Sequence, residues 1–233
     1  DHFSRALRLV PDTGPTMGTN NAVAAPLFFE KPKPRAMTLD HSWDDPGKWS
    51  RASGLNPYWP YVPRRLILFP DFSHRVNRAE RYAQPFSLPV FTKYLTLAAD
   101  EMEKGLESYR RAALRAPALK KRGVFRKVLL AEQLQRMMRS NRAVLEFEDL
   151  RFRLTKAASR SEQTHLLKAM TTILKDEICR TEDSLETARR DSRLGYEWEQ
   201  DYIYTPHTIE EKLELLRLTL NKQIPAYRKR NGL

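Results

Sequence analysis

The chain has 233 residues, with 41 Lys and Arg against 29 Asp and Glu, a formal net charge of +12 and a pI near 9.9. Such a length suits one or two domains, and the cationic balance favours nucleic acid or acidic surfaces as neighbours. The single cysteine, Cys179, excludes an intrachain disulfide framework and a cysteine-based zinc site, and no apolar run approaches the roughly 20 residues that a bilayer span needs.

The chain starts at Asp1 rather than Met, as an organelle-imported protein after processing, or a fragment, would. Twelve of the fifteen prolines fall in residues 1–90. Each fixes its own φ, removes a donor and pushes the preceding residue out of the helical region. Runs such as Lys31-Pro32-Lys33-Pro34 therefore exclude long helices, and clean strand alternation is lacking. Disordered segments are poor in aromatics, yet this region holds Trp43, Trp49, Tyr58, Trp59, Tyr61, Phe69 and Phe72. Residues 1–88 are predicted as an extended, irregular arm that gains order by lying across partners. A short helix fits residues 73–82.

From Pro89 the pattern turns helical, and residues 89–233 are predicted as an antiparallel four-helix bundle. Val90, Tyr94, Leu97, Ala98, Met102 and Leu106 mark a first helix, ending near Arg115 ahead of Pro117. Phe125, Val128, Leu129, Leu134, Met137, Leu145, Phe152 and Leu154 mark a second over 124–156, about 50 Å long at the α-helical rise. A third is expected from Ser161 as its cap to Arg190, with Leu166, Leu167, Met170, Ile173, Leu174, Ile178, Leu185 and Ala188 inward. Thr208 and Glu211 have capping-box spacing for a fourth, whose stripe is Ile209, Leu213, Leu216, Leu220 and Ile224 and which Pro225 closes. The fold class is thus all-α, preceded by the arm.

The densest charge lies in the middle. Between Arg110 and Arg142 there are eleven cations and one acid, Glu132. Arg110, Arg111, Arg115, Lys120, Lys121, Arg122, Arg126 and Lys127 straddle the break at Pro117, and Arg136, Arg139 and Arg142 follow at three-residue steps. Guanidinium groups take phosphate oxygens with two donors at once, and lysine adds a point charge. RNA or another polyanion is the expected contact; acidic groups of a partner protein and a solvated helix face are the alternatives. In the arm, Tyr58, Trp59, Tyr61, Arg64 and Arg65 form an aromatic-basic run suited to stacking on bases or docking in protein grooves.

No catalytic or cofactor constellation emerges. His41, Asp44 and Asp45 lie beside Pro46-Gly47, where a turn is the simpler reading than a metal site. His165 and Cys179 would sit about 21 Å apart along one helix, too far to act together. Asp191, Glu197, Glu199 and Asp201 cluster near Arg189, Arg190 and Arg193, which points to local salt bridging. No glycine-rich phosphate loop occurs.

The segment Asp191-Ser192-Arg193-Leu194-Gly195-Tyr196-Glu197, followed by Tyr202, Tyr204, Lys212 and Tyr227, is similar to a helical region near the C-terminus of some bacterial carbohydrate-active enzymes. That resemblance spans about the last hundred residues and implies an accessory helical module without catalytic residues. As a whole, the layout of processed start, proline-aromatic arm and basic helical body resembles accessory proteins of mitochondrial ribosomes. It implies a non-enzymatic, cofactor-free subunit on the matrix side, contacting ribosomal RNA and neighbouring subunits. Accessory subunits of respiratory complexes or mitochondrial ATP synthase share the layout and form the alternative.

Overall fold

The computed structural model describes residues 1–10, 27–30, 75–191 and 206–233, and every regular element among them is helical. In chain order these are α1 (His2–Leu9), α2 (Arg78–Ala83), α3 (Leu88–Leu114), α4 (Ala118–Leu154), α5 (Arg160–Arg190), α6 (Pro206–Leu218) and α7 (Ile224–Asn231). A π-helical turn, Thr219–Gln223, joins the last two.

Local chemistry accounts for the boundaries. Pro89 sits in the first turn of α3, where its missing N–H is not required. At the other end Arg115 N–H bonds to Ala112 O and Ala116 N–H to Ala113 O, tightening the chain before Pro117. The next helix begins immediately after that proline rather than at residue 124, because Ala118 to Arg122 are good helix formers. For α5 the cap is Ser159, not Ser161: its hydroxyl accepts from Glu162 N–H at 3.1 Å, the spacing of a capping box. Likewise α6 opens at Pro206, so Thr208 lies inside its first turn rather than at the cap. Pro225 does not close the last helix. The π turn just upstream takes up the interruption in the i→i−4 ladder, and the helix runs on to Gly232, whose φ of 66° suits glycine.

Each long helix packs most extensively on its neighbour in sequence, α3 on α4, α4 on α5 and α5 on α6. One core joins Phe91, Leu95, Leu145, Phe147, Leu167, Met170 and Leu216 with Tyr82 of α2. A second runs along the rest of the α3–α4 pair and contains Met102, Leu106, Val128, Met138 and Ala6 of α1.

Parts of the expected arm belong to this body. Helix α1 lies on α3, with the Phe3 ring edge-on to Tyr109 at 4.7 Å between centroids and Gly105 beneath it. Hydrogen bonds from His2 and Lys104 hold the Glu101 carboxyl down at about 2, with Arg5 nearby. Leu27, Phe28 and Phe29 are buried, and Phe29 meets Tyr227 edge-on. The expected short helix is α2, capped by the Asn77 side chain, whose amide also donates to Asp149 at 2.8 Å.

The first predicted stripe holds at Ala98, Met102 and Leu106 and slips in its first half. Val90, Tyr94 and Leu97 are exposed on α3, while Leu88, Phe91, Leu95, Ala98, Met102 and Leu106 point inward. Before Ala98 both rows follow three- and four-residue steps, so periodicity alone chose wrongly there. Phe125, assigned to the core of the second helix, is also exposed.

Candidate nucleic-acid interface

Helices α3 and α4 form an antiparallel hairpin whose turn is Arg115 to Pro117, and the basic run spreads over both of its arms. The fold divides that run in two. Nearer the body, acids supplied largely by other turns and helices meet the arginines. Arg110 donates to Glu103 at 2.7 Å and to Glu132 at 3.0 Å. Burial alone would lower the Arg110 pKa, but hydrogen bonds to Glu103 and Glu132 more than reverse it. Arg139 faces Asp100 at 3.5 Å, and Arg142 donates to Glu146 at 2.7 Å. Arg136 donates to Thr187 Oγ1 at 2.6 Å, tying α4 to α5, with Glu132 one turn away. Four of the eleven cations expected to meet phosphate are therefore engaged inside the chain. A window from 110 to 142 could show only Glu132, because the other acids lie outside it in sequence.

The tip differs. Arg111, Arg115, Lys120, Lys121, Arg122, Arg126 and Lys127 are all exposed, and none forms an ion pair among the described residues; Arg111 reaches only the Ser108 hydroxyl. No acid lies between Ser108 and Ala131. Ordinary solvated helix faces mix signs at i,i+4 spacing, and this one does not. Three large apolar side chains stand among the cations: Leu119 is 101% exposed, Leu114 75% and Phe125 46%.

Gly123 adds a further detail. Glycine inside a helix costs about 1 kcal/mol relative to alanine, and a Cβ here would meet nothing within 4 Å. At Gly105, by contrast, a Cβ would stand 2.8 Å from the Phe3 ring, so glycine is what lets α1 dock. The chain's own packing explains Gly105 and leaves Gly123 unexplained.

The other candidates resolve differently. Tyr58, Trp59, Tyr61, Arg64 and Arg65 lie outside the described residues, as do His41, Asp44, Asp45, Glu197, Glu199 and Asp201. His165 and Cys179 are both exposed on α5. Arg189 pairs with Glu210 and Arg190 with Glu186, at 2.8 Å each. Among the described residues no cluster of three metal-ligating side chains occurs, and no helix is long and apolar enough to cross a membrane. A cleft of about 170 Å³ between α3, α4 and α5 is lined by Asp100, Arg139, Arg142, Glu146, Asp176 and Arg180, whose opposite charges largely satisfy one another.

Sequence reading missed one buried group. Lys212, flanked by apolar residues of the α6 stripe, is fully buried and donates to Glu177 Oε1 at 2.5 Å, while Arg180 donates to Oε2 at 2.8 Å. Burial would raise the Glu177 carboxyl, but the charges of Lys212 and Arg180 and hydrogen bonds from Lys212 and Ser140 outweigh it, leaving it below the usual range. The same burial lowers the Lys212 ammonium, and Glu177 offsets part of that. The cluster clamps α5 to α6, and Ser140 ties it to α4. The only signal for it was a lysine one residue before Leu213 and a glutamate three after Leu174, on faces otherwise apolar.

No protein-family model, curated protein or solved structure matches this chain.

Proposed function

We propose that this chain is a non-enzymatic structural subunit of a large assembly, a mitochondrial ribosome on the matrix side, and that its α3–α4 tip contacts ribosomal RNA. In this reading the long helices act as an antiparallel four-helix body that holds the hairpin out. The aromatic-basic run from Tyr58 to Arg65 contributes docking to neighbouring subunits. The observation that carries the reading is the partition of the basic run: the fold neutralises the cations near the body and leaves seven at the tip without an acid among the described residues. Phosphate contacts need such uncompensated guanidinium and ammonium groups, because they supply affinity and position without base identity.

Nuclease treatment of the purified native complex tests it. Release of this subunit as RNA is digested is the expected result. A subunit that stays bound through complete digestion and comes off only with detergent overturns the reading and assigns the chain to a membrane-bound respiratory or ATP synthase complex.

A further inference from the structure

We propose that the α3–α4 tip recognises unpaired rather than duplex RNA, with a base stacked on Phe125 and the ribose-phosphate backbone held by Lys121 and Arg122 beside it. The inference rests on the RNA reading above and narrows its ligand.

Geometry on α4 motivates it. At 3.6 residues per turn, Lys121, Arg122 and Phe125 share one exposed face of α4, whereas Gly123, two residues from Phe125, lies on the opposite side. The Arg122 guanidinium and Lys121 ammonium groups suit the phosphates that flank a stacked base. Phe125 lies one turn from Lys121 and Arg122, its ring half-exposed beside them.

The shape of the tip separates the two kinds of RNA. Two packed helices, each about 10–12 Å across with side chains, do not enter the deep, narrow major groove of an A-form duplex. A duplex then offers the tip phosphates and 2′-hydroxyls only, and Phe125 and Leu119 would be pressed against polar surface. Loops and bulges present base faces next to phosphates, which match the apolar and cationic parts of the tip together.

The test uses the full chain and two labelled RNAs of equal length, a perfect duplex and a stem–loop with a uridine-rich loop, read by fluorescence anisotropy. The wild-type chain should prefer the stem–loop. Phe125→Ala should lower stem–loop affinity roughly ten- to a hundredfold, the range for one stacked base, and leave duplex affinity unchanged. Equal binding of both RNAs, with Phe125→Ala silent, overturns the inference and leaves the RNA reading standing. Binding of neither RNA overturns both. If vesicles of phosphatidylglycerol and phosphatidylcholine are then bound, the tip is a lipid-surface contact.

Discussion

The two ends of the α3–α4 hairpin use the same residue types to opposite ends. Near the body, Gly105 is covered by Phe3 and Arg110 is held by two glutamates. Toward the turn, Gly123 faces open space and Arg122 meets no acid among the described residues. Leu106 is fully buried, and Leu119 is fully exposed. Glycine, arginine and leucine occur at both ends, but the acids stand only toward the body, so one end has its interactions completed by the chain and the other does not. Uncompensated charge together with exposed apolar surface weakens a fold that stands alone. Concentrated at one end of a pair of packed helices, it is the surface that the proposed RNA contact would cover.

The body of the protein should be intolerant of charge changes to the degree that the tip is indifferent to them. Lys212→Met gives the largest contrast. It removes the ammonium that donates to Glu177 and leaves that carboxylate buried with Arg180 as its remaining cation. Breaking a buried pair from one side costs about 3–5 kcal/mol, and urea denaturation should show a loss of that order. The double change Lys212→Met with Glu177→Leu should recover part of it, since neither fully buried charge is then stranded, although Arg180 loses its bond to Glu177. A loss under about 1 kcal/mol for the single variant would mean that water reaches the site, erasing the contrast between body and tip.

Gly105→Ala probes the hairpin's packed glycine and is the middle-sized effect. The new methyl would come within 2.8 Å of Phe3 Cε1, closer than packed carbons approach, so Phe3 or α1 has to move. Overpacking of this kind costs about 1–3 kcal/mol, while alanine in the helix returns about 1 kcal/mol. Global stability should fall modestly, but α1 should lose its seat on α3. Faster amide hydrogen exchange in residues 5–9, with α4 and α5 unchanged, is the expected signature. Unaltered protection of α1 would show that the glycine is not what admits Phe3.

How far these contrasts could be read from the residues depends on the range of the interaction. Helix existence is local: apolar spacing and Pro117 brought out the long helices. Caps are local too, yet Ser159 and Ser161 compete, and only the position of Glu162 decides between them. The register at the start of α3 was not legible, because Val90, Tyr94 and Leu97 form as regular a row as Leu88, Phe91 and Leu95. The docking of α1 depends on Phe3 meeting Gly105, about a hundred residues away, which no local pattern encodes. For the candidate interface, the cations were visible as a run. Their division was legible at Arg142, whose Glu146 lies four residues on, but at Arg110 and Arg139 it depends on Glu103 and Asp100 lying beside them in space.

The smallest effect on stability should come from the tip, and it should accompany the largest effect on binding. Arg122→Glu, Arg126→Glu and Lys127→Glu together alter three exposed side chains that form no ion pair among the described residues. Surface changes of this kind usually stay within about 0.5 kcal/mol each. Arg122 and Arg126 are also like charges at i,i+4, whose mutual repulsion is a small cost that two glutamates reproduce, so the helix gains or loses little by the exchange. Thermal denaturation should therefore be nearly unchanged. RNA affinity should drop steeply, and the slope of log affinity against log salt should flatten by roughly 0.7 to 0.9 for each phosphate that the variant no longer neutralises. Arg139→Glu with Arg142→Glu supplies the matched control from the same run. It breaks pairs with Asp100 and Glu146, each worth about 0.2–1 kcal/mol, and should leave the salt slope alone. If the two variants shift the slope equally, the cations near the body and those at the tip are one population, and the partition on which the interface rests is wrong.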